Sequence, residues 1–283
     1  MWLRDSANQL QSYKSLLRPN ASSDSLASLF RGAINLHSRY ILSSPYCNAF
    51  GPPAEASLTE PYNPFAGLGS DFVVPTPDPA LVFECKYELD SLAAFLQLSA
   101  DYHSGTGDSA FFRRSAAWVE AVAAVLNATD ALRGGLLEAD GSVAAQVYLF
   151  QRFTATATET LINGGAGSPV RPDTGMVRSA FRPSDDACIY QLLVPANMMF
   201  SQYLEACVPI MEALNEGLAR RMTEAAVRVR KGIEKFGKVN HRVFGEIYAY
   251  EVDGFGSHNV MVGTSRADRR RERDKANECA GAN

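Results

Sequence analysis

Histidine is scarce in this chain: His37, His103, His241 and His258 are the full set, and none of them sits in an HExxH or HxH pair. A transition-metal site built mainly of imidazoles would have to draw most of them together, so neither a metal nor a cofactor is expected. Cysteine is limited to Cys47, Cys85, Cys188, Cys207 and Cys279, with no CxxC spacing. Zinc-ribbon and redox-motif readings are thereby disfavoured, and the odd number leaves at least one thiol unpaired within a monomer. No apolar run reaches the roughly 18 to 20 uninterrupted residues of a membrane helix, and the opening Met1-Trp2-Leu3-Arg4-Asp5-Ser6 lacks the apolar stretch of a signal peptide, so no membrane partner is expected. Positive charge is not in excess either. With 27 Lys and Arg against 31 Asp and Glu, the net charge is −4, which disfavours a general nucleic-acid partner. What remains, 46% hydrophobic and 20% charged residues over 283 positions, is the composition of a globular protein able to bury a sizeable core.

Helical periodicity dominates. From Ile210 to Phe236, Leu214, Leu218, Met222, Ala225, Val229 and Ile233 recur at three- and four-residue steps, and the charged residues fall mostly off that stripe. After Ser104-Gly105-Thr106-Gly107-Asp108, with Asp108 or Ser109 as cap, a second stripe runs through Phe111, Ser115, Trp118, Val122 and Val125. Further helices are predicted from Asp5 to about Leu17, from Asp24 to about Leu42, from Glu88 to Tyr102, and from Pro195 to about Leu204. Between them, Pro45 to Pro79 and Gly134 to Asp173 are rich in Gly, Pro, Ser and Thr, with one strand expected at Val143 to Phe153. The expected fold class is all-α: helical hairpins carrying long loops and a minor β element. Residues 1–261 read as one domain and 262–283 as a basic tail. From Arg266 to Lys275 that tail holds six basic and three acidic residues, the pattern of a solvated end or, alternatively, of an anionic-surface contact.

In a chain poor in histidine, carboxylates are the natural proton-transfer groups. They recur beside aromatic and small residues in four places. In Trp2-Leu3-Arg4-Asp5-Ser6, an indole offers a stacking face and an Arg-Asp pair offers several hydrogen bonds to hydroxyls, although Asp5 or Ser6 also suits a helix cap. In Tyr87-Glu88-Leu89-Asp90, two carboxylates stand at a helix start, where the helix dipole alone would favour them. In Phe181-Arg182-Pro183-Ser184-Asp185-Asp186, adjacent aspartates repel and one of them is expected to hold its proton; a Ser-Asp turn is the plainer alternative. In Tyr250-Glu251-Val252-Asp253-Gly254, acidic and aromatic residues precede a glycine turn.

Taken in order, the segments MWLRDSANQL, YELDSL, FRPSDDAC and YAYEVDGFG resemble the signatures of glycoside hydrolase family 125. The resemblance implies an (α/α)6 toroid, here partial, and a metal-independent exo-α-mannosidase that inverts the anomeric centre while removing α-1,6-linked mannose from a mannose-containing glycan. It implies a sugar site lined by Trp2, Arg4, Asp5, Glu88, Asp90, Arg182, Ser184, Glu251 and Asp253, with Asp185 or Asp186 as general acid. Adjacency leaves the choice between those two open. An inverting enzyme also needs a second carboxylate as base. In the family this is a Glu in a motif near the C-terminus, and the resemblance fades near Met261, so no residue here inherits the role and the chain is expected to be shortened at both ends. A carbohydrate-binding fragment without turnover is the alternative reading. The sequons Asn20-Ala21-Ser22 and Asn127-Ala128-Thr129 would accept glycans in a secretory pathway; the compartment stays open.

Overall fold

The structure, a computed structural model, describes residues 1–59, 71–138 and 140–261. Seven α-helices organise the described residues: α1 (Leu3–Gln11), α2 (Leu26–Ser43), α3 (Leu89–Thr106), α4 (Ser109–Arg114), α5 (Ala116–Ala131), α6 (Val194–Glu212) and α7 (Glu216–Phe236). The two kinds of helix follow from sequence. In α3 apolar and small residues occupy all sides, from Leu89 and Leu92 to Phe95, Leu98 and Tyr102, so it is buried all round and packs against α1, α2 and α6. α7 keeps one apolar stripe, Leu218, Met222, Ala225, Val229 and Ile233, which faces α6 and α5. No helix among the described residues is long and apolar enough to cross a membrane.

Helix boundaries are set by caps. Ser25 accepts from the Ser28 N–H, Asp108 from Phe111 and Asn215 from Leu218, each satisfying a first-turn donor. Gly107, at φ +66°, ends α3 in the left-handed conformation that glycine adopts without strain. Several predicted helices are corrected accordingly. The stripe from Ile210 to Phe236 spans two helices, because residues 213–215 interrupt it and Asn215 starts α7 afresh. The segment after Asp108 breaks at Ser115 into α4 and α5. The helix expected from Asp5 begins at Leu3 and ends at Gln11, with a 3-10 turn at Lys14–Leu16 beyond it, and α6 continues past Leu204 to Glu212.

Short antiparallel strands stitch the loops at one end of this assembly. β1 (Ala49–Phe50) pairs with β3 (Val82–Glu84), and β2 (Asp71–Val74) pairs with β4 (Leu149–Arg152). The strand predicted over Val143 to Phe153 is therefore real but only four residues long. β5 (Leu192–Leu193), β8 (Glu251–Val252) and β9 (His258–Asn259) form a three-stranded sheet, and β6 (Lys238–His241) with β7 (Gly245–Tyr248) a hairpin. Two-residue strands carry no readable period, which is why sequence reasoning passed over most of them. The tail expected at 262–283 lies outside the described residues.

Cys47 and Cys85 are joined by a disulfide that bridges the entry to β1 and the exit of β3 across 38 residues of sequence, while Cys188 and Cys207 are free and buried. Closing a loop of that length limits the unfolded chain, and its loss is expected to cost about 3 to 4 kcal/mol. Urea unfolding of a Cys47→Ala, Cys85→Ala double variant would read this as a lower midpoint at similar slope; an unchanged midpoint would show that the link contributes nothing.

Candidate active site

Four segments, two of them helix starts, meet at one place. The Trp2–Asp5 segment enters it because Trp2 bridges Ala49, the Leu3 N–H donates to the Asn48 carbonyl, and the N-terminal ammonium reaches the Phe50 carbonyl. The Phe181 N–H donates to the Tyr87 carbonyl at 3.0 Å, and the Leu89 N–H donates to Ser179 Oγ at 3.0 Å, which locks the Arg182–Asp186 turn onto the start of α3. Arg182 carries the fourth segment with it through Glu251.

Arg4 is the hinge of the cluster. Its Nε lies 3.0 Å from Asp90 Oδ2, one terminal nitrogen lies 3.5 Å from Asp5, and the same nitrogen donates to the Pro183 carbonyl at 2.7 Å. Glu88, at the N-cap position, and Asp90, in the first turn of α3, are both buried, yet the Glu88 side chain caps no first-turn N–H and instead accepts from the Ser91 hydroxyl at 3.0 Å. Asp5 sits inside α1 rather than at its cap and is exposed. The cap expected of Asp5 therefore does not form, whereas Asp90 lies in the first turn of α3, where the helix dipole favours an acid.

Burial is the main force on their protons. Desolvation, reinforced by the negative charges of Asp90 and Asp185, pushes Glu88 well above the usual carboxylate range. Asp90 is raised by burial to about 6 even though Arg4 opposes the shift. Asp185 is also raised, chiefly by burial, with Lys86 and an Asn48 hydrogen bond pulling the other way. Its backbone stands at φ +65°, a conformation that Asp tolerates better than most residues, and this turns its carboxyl inward, where Asn48 Nδ2 donates to Oδ1 at 3.1 Å. Asp186 faces differently: it accepts the Ser184 hydroxyl at 2.9 Å, and its carbonyl accepts the Arg182 N–H.

A carboxyl whose folded pKa is raised stabilises the fold fully below its unfolded pKa and loses that contribution as pH rises through the folded value. For Asp90 the window runs from 3.8 to about 6. Asp90→Asn, which mimics the protonated acid, is expected to be more stable than the parent at pH 7.5 by up to about 3 kcal/mol and equally stable near pH 3. Thermal unfolding of both proteins across that range reads it; a constant difference at all pH values would refute the assigned environment.

Not every predicted residue opens onto the site. Glu251 is fully buried, and its carboxylate accepts from Arg182 Nε and a second Arg182 nitrogen at 2.6 and 3.1 Å, from the Ile189 and Tyr190 N–H groups at 3.1 and 3.2 Å, and from Asn259 Nδ2 at 2.7 Å. Asp253 Oδ1 accepts the N–H groups of Phe255, Gly256 and Ser257; burial alone would raise its pKa, but these bonds outweigh it and hold the carboxyl below its usual range. Trp2 is half-buried, edge-on to Phe83 at 5.4 Å between ring centres, with its indole N–H unpartnered. Ser184 is exposed at the rim.

Sequence reasoning missed the residues beneath Asp185. Asn48, wholly buried, accepts the Lys86 N–H at 3.1 Å while its amide holds Asp185. Lys86 is buried with its ammonium 3.6 Å from Glu84 and over the Phe181 ring, and Glu84 also accepts from Arg152 at 2.7 Å. Lys86 directly precedes the YELD segment, so a buried lysine beside acids was a usable signal; Asn48 lies in a loop without any pattern.

Residues 1–264 match the sequence family described as metal-independent alpha-mannosidase. The chain belongs to glycoside hydrolase family 125. A curated relative, the meiotically up-regulated gene 157 protein of Schizosaccharomyces pombe, is 43% identical over 259 residues, which cover 90% of this chain and 49% of the relative. Among solved structures, a Streptococcus pneumoniae metal-independent alpha mannosidase in a non-productive complex with alpha-1,6-mannobiose superposes with a TM-score of 0.75 at 29% identity, over 92% of this chain and 56% of that one. The chain thus spans about half the length of both family members.

Proposed function

We propose that this chain supplies the acid side and much of the sugar-binding surface of an exo-acting, inverting α-mannosidase that removes α-1,6-linked mannose from the non-reducing end of a glycan, its helices forming part of an (α/α)6 toroid. The observation that carries this reading is the convergence of Glu88, Asp90 and Asp185 around Arg4, all three carboxyls held by burial toward their protonated forms, in a member of this family. A glycosidic general acid has to keep its proton near the working pH and deliver it to the leaving oxygen. Asp185 is the candidate, because burial raises its carboxyl and Asn48 orients it, whereas the Asp186 carboxyl is engaged by the Ser184 hydroxyl.

In this reading Asp185 protonates the glycosidic oxygen, and Lys86 and Asn48 steady the carboxylate that is left behind. Arg4, Asp5, Glu88, Asp90, Arg182 and Ser184 bind the sugar hydroxyls, and Trp2 offers its ring face. Glu251 and Asp253 act one step removed, the first by fixing Arg182 and the second by shaping the turn at residues 255–257. The base that activates water on the opposite face lies roughly 6.5 to 9.5 Å from the acid in an inverting enzyme.

Hydrolysis of α-1,6-, α-1,3- and α-1,2-linked mannobiose by this segment in a protein of the relatives' full length, followed by chromatography of free mannose, tests the assignment. Release from the α-1,6 isomer alone is the expected result, and equal release from all three would remove the linkage specificity. Calorimetric binding of the α-1,6 isomer without product would leave the sugar site in place and support the binding-only alternative.

A further inference from the structure

We propose that the cavity beside Arg178 is a binding site for an oxyanion, either a free phosphate or the phosphate of a substituted sugar. Arg178 leads from the α5 exit toward the start of α3; its N–H donates to the Leu132 carbonyl at 3.1 Å, and the residue is 6% exposed. Among the described residues no carboxylate lies within ion-pairing distance of its guanidinium. Its partners are neutral. One terminal nitrogen donates to Gln146 Oε1 at 2.7 Å, the other reaches Gln191 Oε1 only at 3.5 Å, and Nε has no hydrogen-bond partner.

Buried guanidinium groups are ordinarily paired with an anion, because two amide dipoles do not replace the hydration that a full charge gives up. Nor is the arrangement loose. Gln191 is buried, its amide donates to the Ala166 carbonyl at 3.3 Å, and Gly167 leaves that amide its space, since a Cβ there would stand 1.9 Å from Gln191 Nε2. The protein therefore holds an uncompensated cation in a fixed place.

That place borders a cavity of about 580 Å³, within the size of small-ligand sites. Its walls combine the side-chain-free Gly134 and Gly135 with Pro169, Pro172 and Phe255, so one cation and an apolar rim face a compact ligand. Glu138 also borders the cavity, but it is exposed and forms no ion pair among the described residues, which leaves the guanidinium as the charge available for pairing. A tetrahedral or planar oxyanion matches the forked geometry of arginine through two parallel hydrogen bonds. The proposal is independent of the mannosidase reading, because none of the residues assigned there borders this cavity.

The test is calorimetric titration of the chain, at constant ionic strength, with inorganic phosphate, mannose 6-phosphate and mannose in turn. At least one of the phosphate probes is expected to bind with millimolar or tighter affinity, and Arg178→Gln is expected to weaken that binding at least tenfold. Tighter binding of mannose 6-phosphate than of inorganic phosphate, with no mannose binding at this locus, identifies the sugar-borne anion; equal affinity of the two identifies the free one. Should Arg178→Gln fail to fold, Glu138→Gln provides the second variant: removal of a neighbouring negative charge is expected to tighten phosphate binding at least twofold. Absence of phosphate binding up to 10 mM for both probes, binding unchanged by Arg178→Gln, or binding unchanged by Glu138→Gln where that variant is the one available, would overturn the proposal.

Discussion

Asp185→Asn is expected to lower turnover of α-1,6-mannobiose by about 10² to 10⁴-fold, the range over which a positioned proton donor acts. The substitution keeps the backbone intact, because Asn accepts the left-handed conformation at φ +65° as readily as Asp does. It removes only the transferable proton. The loss should shrink sharply with an aryl mannoside whose leaving group departs without protonation, and this separates a missing acid from a damaged site. Asp186→Asn is expected to keep turnover within about tenfold of the parent, its effect falling mainly on KM, because its carboxyl supports the Ser184 hydroxyl and the turn. Equal losses in both variants, or none in Asp185→Asn, would return the acid to an open question.

The largest stability effect is expected at Glu251. Glu251→Ala leaves the Arg182 guanidinium without its counter-ion and strips acceptors from the Ile189 and Tyr190 N–H groups and from the Asn259 amide, all beside the strand pairing of β8 with β5 and β9. Because the Arg182 side chain is partly exposed and can be rehydrated, the loss comes mainly from the buried N–H and amide donors left without an acceptor, about 1 to 3 kcal/mol each at most. Glu251→Gln retains one acceptor oxygen and should lose less. The urea midpoints of the two variants order these effects; a loss below 1 kcal/mol for Glu251→Ala would mean that the five hydrogen bonds are not maintained in solution. Because Arg182 is part of the proposed sugar site, the surviving folded fraction should also bind mannobiose more weakly.

Much of this was legible in the chain. Stripes at three- and four-residue steps gave the helices, and polar caps such as Asp108 marked one of their starts. Interruptions were harder to see: Leu214 continues the apolar stripe across the gap between α6 and α7, so only the cap at Asn215 betrays the break. The four acidic segments are brought together by contacts between segments distant in sequence, Arg4 to Asp90 and Pro183, and Arg182 to Glu251. Their individual roles were not legible. Glu251 and Glu88 are both acids beside aromatic residues, yet one is saturated by five donors and the other accepts a single hydroxyl. Such differences depend on partners far apart in sequence, as does the choice between Asp185 and Asp186, which rests on a backbone angle and on Asn48, 137 residues away. The Cys47–Cys85 link is of the same kind, brought together by β1 and β3 rather than announced by spacing.

In the proposed reaction the Asp185 cluster acts on mannose through proton donation with inversion. Proton NMR of α-1,6-mannobiose incubated with this segment in a protein of the relatives' full length, which supplies the base, follows binding and chemistry in one sample. Mannose is expected to appear first as the β-anomer, before mutarotation, and Asp185→Asn is expected to stop its appearance. Mannose released first as the α-anomer, or a disaccharide spectrum that neither changes nor broadens in the presence of the protein, would contradict it.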